Sequence, residues 1–225
     1  MWFNYFYQIQ KKYRIRLSTK TPLIVRLDAK NVTKNKVIDL IDTSKDSFLY
    51  YLEKTVKYFT KKYHCYAIIG ADEVSFVFID PMPFIKNLNA VKHHNSERIV
   101  SLFSQYFFDF FNSFNNNRKI FWDVKCFSIP YDKATSYISY RSKSIKEIMV
   151  TYFLKTKGAK VRDVKMDEKI AQCSKFPDYK LLDKIKDGFL YFNGDKIDLN
   201  EFLNSGNIKI IENKTINNSL FDDLL

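Results

Sequence analysis

The chain is poor in the residues that interrupt regular structure. Its 225 residues include only five glycines and five prolines, which excludes a loop-rich or collagen-like architecture and favours long helices and strands. Cysteine is equally scarce. Cys65, Cys126 and Cys173 are odd in number, widely spaced and set in apolar segments, so a disulfide framework or thiolate metal cluster is not expected; they read as buried free thiols in a reducing compartment. No apolar run reaches the roughly 18–20 residues of a membrane span. The aromatic start, Met1-Trp2-Phe3-Asn4-Tyr5-Phe6-Tyr7, lacks the basic region and small-residue cleavage site of a signal peptide. A cytoplasmic protein with no membrane partner is the expectation. No phosphate-binding glycine loop is present, because Gly158-Ala159-Lys160 lacks the necessary spacing. No Ser/His/Asp nucleophile arrangement can be drawn either.

Hydrophobic residues make up 46% of the chain and aromatics 17%, enough to build a core and to exclude disorder as the default. The length suits one large domain or a domain with an appendage. The net charge of +12 is unevenly placed. Residues 1–20 carry Lys11, Lys12, Arg14, Arg16 and Lys20 with no acid, and residues 133–175 carry eleven basic against four acidic side chains. Residues 21–132 are close to balanced and the tail is slightly acidic. Two basic blocks flanking a balanced centre point to a polyanionic partner, since each neutralised phosphate releases condensed counterions. A solvated lysine-rich helix face is the bland alternative.

Residues 22–28 read as a buried strand. Ser44 is placed to cap a helix running to about Lys62, with Phe48, Leu49, Leu52, Val56 and Phe59 at helical spacing. Strands at 65–69 and 74–79 follow, joined through Gly70-Ala71-Asp72-Glu73, and Pro81 and Pro83 break the chain. A helix over roughly 95–115 ends at Asn115-Asn116-Asn117, and a fourth strand over 119–129 stops at Pro130. That order predicts an α+β fold of the ferredoxin-like βαββαβ type: a four-stranded sheet, its first and third strands central, with helices on one face. By analogy of fold, this is the palm of polymerases and nucleotidyl cyclases. The palm is expected over residues 1–130, together with the basic N-terminal segment. Residues 131–225 form an extension packed on it: a basic helix over 132–157 stopped by Gly158, a shorter helix near 164–174, a hairpin over 186–199 turning at Asn193-Gly194, and a frayed end after about 213.

Within that frame the carboxylates carry the chemistry. Asp28 closes the first strand, and Asp72-Glu73 occupy the hairpin leading into the third. Neighbouring strands bring Asp28 and Asp72 to one edge, where two carboxylates on a basic protein suit a divalent metal and a nucleoside triphosphate. Asp28, the Ala29 carbonyl and Asp72 would suffice as Mg²⁺ ligands, with Glu73 in support. The turn Ala29–Lys34 offers backbone amides to phosphate, and Lys30 or Lys34 adds charge. Spacing alone reads the same acids equally well as ordinary turn residues. Tyr131, Tyr137, Tyr140 and Arg141 lie in the basic block, where base stacking competes with helix-face packing. His93-His94 lack a third ligand, and His64 beside Cys65 reads as core or rim.

The motifs resemble a known family. Val25-Arg26-Leu27-Asp28-Ala29-Lys30-Asn31 is similar to the RLDGR-F stretch of the tRNA-histidine guanylyltransferase-like family of 3′–5′ nucleotide polymerases. Gly70-Ala71-Asp72-Glu73-Val74-Ser75-Phe76-Val77-Phe78 resembles its QSDEYSFVF, at the right separation. Thr43-Ser44-Lys45-Asp46 falls at its KPND, Trp122 through Pro130 is similar to FDGRV…YP, and Tyr137–Arg141 to YLSWR; Asp178–Phe189 looks like its weaker KRG region. The chain departs from the pattern at Ala29 (Gly in the family), at Ala71 (Ser) and after Arg141, where HINNLYN is replaced. The resemblance implies a transferase acting on the 5′ end of tRNA or a tRNA-like RNA, in tRNA processing or repair, with two Mg²⁺ ions and with GTP and ATP as substrates. It implies catalytic roles for Asp28, Asp72 and Glu73, metal binding by Asp28, Ala29 and Asp72, and nucleotide binding by Ala29, Lys30, Asn31, Val32, Thr33, Lys34, Lys45 and Asp46. It also implies a homo-tetramer. A palm-type cyclase and a catalytically degenerate RNA-binding relative are the alternatives.

Overall fold

A computed structural model describes residues 17–32, 38–88, 96–114 and 119–205. Six strands form one antiparallel sheet: β1 (Leu23–Ala29), β2 (Tyr66–Gly70), β3 (Glu73–Phe78), β4 (Trp122–Ser128), β5 (Phe189–Phe192) and β6 (Asp195–Ile197), in the order β4-β1-β3-β2-β5-β6. Among the described residues seven α-helices accompany them: α1 (Phe48–Tyr63), α2 (Met82–Asn87), α3 (Ser96–Phe114), α4 (Ala134–Thr156), α5 (Met166–Cys173), α6 (Tyr179–Ile185) and α7 (Leu199–Ser205). The fold is α+β. No helix among the described residues is long and apolar enough to cross a membrane.

The expected four-stranded sheet is six-stranded, because the 189–197 hairpin pairs with the free edge of β2, Ile68 opposite Leu190. Its two-residue turn, Asn193-Gly194, has positive φ at both positions, as a type I′ turn requires. The Gly194 amide donates to Thr60 Oγ1, and His64, the left-handed cap of α1, pairs with Asn193. His64 is thus a rim residue fastening the hairpin to the end of a helix. The cap of α1 is Ser47, not Ser44: its hydroxyl accepts from the Tyr50 amide at 3.2 Å. Ser44 is instead spent in the preceding turn, where its carbonyl accepts from Ser47.

Strand alternation gives the sheet two unlike faces. Leu23, Val25 and Leu27 of β1 and Phe76 and Phe78 of β3 point one way, onto Phe59 and Tyr63 of α1 and Phe103, Phe107 and Phe111 of α3, all buried. Arg26 and Asp28, opposite Ser75 and Glu73, point the other way. There α4 crosses the β2–β3 side. Gly70 permits the crossing, because a Cβ on it would lie 2.4 Å from Ile145 Cγ2. Gly188, at φ +80, lies against the same isoleucine. All three cysteines are free; Cys65 and Cys173 are buried and Cys126 partly so. Burial pushes the Cys126 thiol up to about 12, which leaves it a poor nucleophile.

Candidate active site

The register brings three carboxylates into line. Asp28 of β1 lies opposite Glu73 of β3 on one side and Asp123 of β4 on the other. Directly opposite residues share a face, so all three emerge on the side away from α1 and α3. Asp72 stands in the adjoining turn, and its carbonyl accepts from the Ala29 amide at 2.7 Å, locking the end of β1 to the β2–β3 hairpin. Asp28 and Asp72 are therefore brought together.

Glu73 and Asp28 have different surroundings. Glu73 is buried, and both its oxygens are engaged: Oε1 accepts from Arg141 Nε at 3.0 Å, and Oε2 from Arg141 Nη2 and from Arg26 Nη2 at 2.9 Å. Arg141 is itself buried. Glu73 is thus a tie between β1, β3 and α4. Asp28 is 41% exposed at its side chain and bonds Arg26 Nη2 at 2.7 Å. Its carboxyl is pushed up to about 6, by burial first and then by the negative charge of Asp72, with Glu73 and Asp123 adding and Arg26 opposing. Arg26, Asp28, Asp123 and Lys125 line a small open cleft.

The turn after β1 is only partly as expected. The Lys30 amide donates to the Phe121 carbonyl at 2.8 Å, so it ties the turn to the start of β4 rather than facing a ligand; the Lys30 side chain is exposed. Asn31 adopts φ +60, and Val32 is buried. Thr33 and Lys34 lie outside the described residues, as do the His93-His94 pair, the Asn115–Asn117 stop, the basic residues 11–16 and the tail beyond 205. Lys45 and Asp46 are exposed in the turn before α1, where Asp46 accepts from the Tyr51 hydroxyl at 3.0 Å. Phe48, two residues beyond Asp46, stacks on Trp122 with centroids 6.0 Å apart. This contact sets the turn beside the end of the sheet that carries Ala29, since Trp122 is the register partner of Ala29.

Three site residues carried no assigned role in the sequence: Arg26, Asp123 and Lys125. Asp123 had a usable signal, because a fourth strand antiparallel to the first must begin where the first ends. Arg141, weighed for base stacking, is packed against Glu73 instead, and the Tyr137 hydroxyl lies 3.1 Å from Ser75 Oγ. No three or more His, Cys, Asp or Glu side chains among the described residues are grouped to hold a metal ion.

No family model matches the chain, and no curated protein matches its sequence. Solved structures do match. A bacterial tRNA(His) guanylyltransferase (Thg1)-like protein in complex with ATP superposes with TM-score 0.62 and 15% identity, over 85% of this chain and 88% of that one. One in complex with GTP gives 0.56 and 16%, over 85% of each chain. The tRNA(His) guanylyltransferase of Saccharomyces cerevisiae gives 0.53 and 15%, over 85% and 93%. The fold is that of the tRNA(His) guanylyltransferase-like proteins. The resemblance read from short motifs thus reappears as a three-dimensional likeness over most of both chains.

Proposed function

We propose that the chain is a metal-dependent nucleotidyltransferase acting on the 5′ end of tRNA or a tRNA-like RNA in the 3′–5′ direction. Residues 1–130 serve as its palm and residues 131–225 as an extension whose hairpin lengthens the same sheet. The observation that carries the reading is the gathering of Asp28 and Asp72, with Asp123 alongside, at the open end of β1. Burial, and after it the charge of the neighbouring Asp72, already drives the Asp28 carboxyl to about 6. A divalent cation would offset the acid charge that Arg26 leaves uncompensated, and hard carboxylate oxygens suit Mg²⁺, which keeps its remaining positions for water and phosphate. Two side-chain carboxylates with the Ala29 carbonyl are a sufficient protein share; larger acidic cages are not needed.

Asp28 and Asp72 would hold the ion or ions, whose part is to neutralise the triphosphate and align the attacking oxygen. Glu73 positions: gripped by Arg141, it holds Arg26 beside Asp28. Lys30 and the Asn31–Val32 backbone, with Lys45 at the neighbouring turn, face the phosphates of a bound GTP or ATP. The reaction has two displacements. A 5′-monophosphate oxygen of the RNA attacks the α-phosphorus of a triphosphate, and pyrophosphate leaves. The 3′-hydroxyl of an incoming nucleotide then attacks the activated 5′-phosphorus, losing its proton, and the nucleoside monophosphate leaves.

Incubation with Mg²⁺, labelled triphosphates and a panel of 5′-truncated tRNAs tests the proposal. Label should join the RNA 5′ end with wild type, and Asp28→Ala or Asp72→Ala should reduce addition at least 10³-fold while RNA binding persists. Binding without addition by wild type would leave a degenerate RNA-binding protein. Cyclic nucleotide formed without RNA would indicate a cyclase.

A further inference from the structure

β4 is an edge strand, and its open face reads acid, base, aromatic: Asp123, Lys125, Phe127. From Asp123 to Phe127 the strand advances about 13 Å, starting in the acid cleft and leading away from it. Phe127 is 36% exposed and meets Tyr137 edge-on at 5.9 Å; Tyr137 in turn lies 6.4 Å from Tyr140, which is 59% exposed. Tyr137 is pinned by Ser75, so the two exposed rings flank a fixed one. Tyr140 also rests against the Arg141 guanidinium at 5.3 Å. Lys143, one helical turn on from Tyr140, is exposed on the same side of α4. Among the described residues neither Lys125 nor Lys143 makes an ion pair, whereas Lys133 and Lys146 of the same region do.

Exposed aromatic faces and unneutralised lysines, set in a row that starts at a phosphate-handling cleft, are the components of a single-stranded nucleic-acid platform. Duplex RNA buries its base faces in its own stack, so rings of this kind have work to do only on unpaired bases. Resting on the nucleotidyltransferase reading above, we infer that Phe127 and Tyr140 stack unpaired nucleotides that lie beside the 5′ end of the RNA substrate, while Lys125 and Lys143 contact their phosphates. Recognition is thereby for an RNA end that carries unpaired nucleotides, independent of sequence.

Binding of a short 5′-monophosphorylated single-stranded RNA, without metal or triphosphate, measures this directly. Phe127→Ala and Tyr140→Ala should each weaken it roughly tenfold, and Phe127→Trp should restore it. Lys125→Ala should reduce the slope of log affinity against log salt by about 1. A blunt duplex should bind the wild type and the two aromatic variants alike, and triphosphate affinity should be unchanged in those two variants. Equal binding by wild type and both alanine variants overturns the inference, and so does a loss confined to triphosphate, which would make these rings a seat for the incoming base. Because binding is read apart from addition, an inactive protein that loses RNA on Phe127→Ala sinks the enzyme reading but not this one, and the reverse pattern sinks this one alone.

Discussion

The two faces of one sheet have opposite physical characters, although the same strands supply both. Toward α1 and α3, β1 and β3 present Leu23, Val25, Leu27, Phe76 and Phe78 to a cluster of rings with no charged member. Toward the open side the intervening residues are Arg26, Asp28, Glu73 and Ser75. The first face lowers the free energy of the fold by removing apolar area from water; the second raises it, by holding acids together. A sheet that carries a site on one side leans on its other side for stability. This asymmetry can be broken from either face.

The largest effect is expected on the apolar side. Phe107 is fully buried among Phe59, Phe76, Phe103, Phe111 and Trp122, and Phe107→Ala should cost about 3–5 kcal/mol in chemical denaturation. On the open side, Arg141→Ala should cost nearly as much, about 3 kcal/mol, because it leaves Glu73 buried with Arg26 as its remaining described cation. The two losses differ in kind. The double variant Arg141→Met with Glu73→Leu should recover most of the second, whereas no polar change rescues the first. Failure of the double variant to outlast Arg141→Ala in urea would mean that Glu73 is not the reason for Arg141.

Asp28→Asn tests the claim that the open face is held against its own electrostatics. The carboxyl ordinarily titrates at 3.8 and is raised to about 6 in the fold. The stability it contributes is therefore fully present below 3.8 and is lost as pH rises through about 6. Asparagine carries no charge and loses nothing. A shift of about two units corresponds to roughly 3 kcal/mol at full weight, but the side chain is 41% exposed, and solvent screening reduces it to about 1 kcal/mol. The variant should be more stable than wild type by that amount at pH 7.5 and indistinguishable from it near pH 3.5, with nucleotide addition abolished. Mg²⁺ should raise the melting temperature of the wild type at pH 7.5 and leave the variant unmoved. A variant less stable than wild type at pH 7.5 would show that the Arg26 contact outweighs burial and the neighbouring acids.

How far this contrast is legible in the sequence depends on the distance over which each part is decided. Asp28 and Asp72 are readable because strand ends and turns are local, and strand order then makes them neighbours. Asp123 follows from the same order once β4 is assigned. Arg141 is not readable: a basic residue in a basic helix looks solvated, and only its contact with Glu73, 68 residues away, makes it core. The sheet's fifth and sixth strands divide the same way. Asn193-Gly194 announces a hairpin, but nothing local says that it joins the edge of β2. Ser47 displaced Ser44 as the cap for a subtler reason, since both precede the apolar run and only the intervening turn decides between them.

The smallest prediction concerns the turn that presents Asp72. Ala71 adopts φ +52, a region that costs an L-residue about 1 kcal/mol because Cβ crowds the following carbonyl. Glycine removes that strain but widens the unfolded ensemble, which offsets part of the gain. Ala71→Gly should therefore stabilise the fold by only a few tenths of a kcal/mol, measurable as a small rise in urea midpoint at constant slope. Its value lies in what accompanies it. The Asp72 carbonyl holds the Ala29 amide, so a looser turn loosens the end of β1 as well, and addition should slow even as stability rises. If both rise together, the left-handed alanine is a relic of the backbone and no part of how the acids are held.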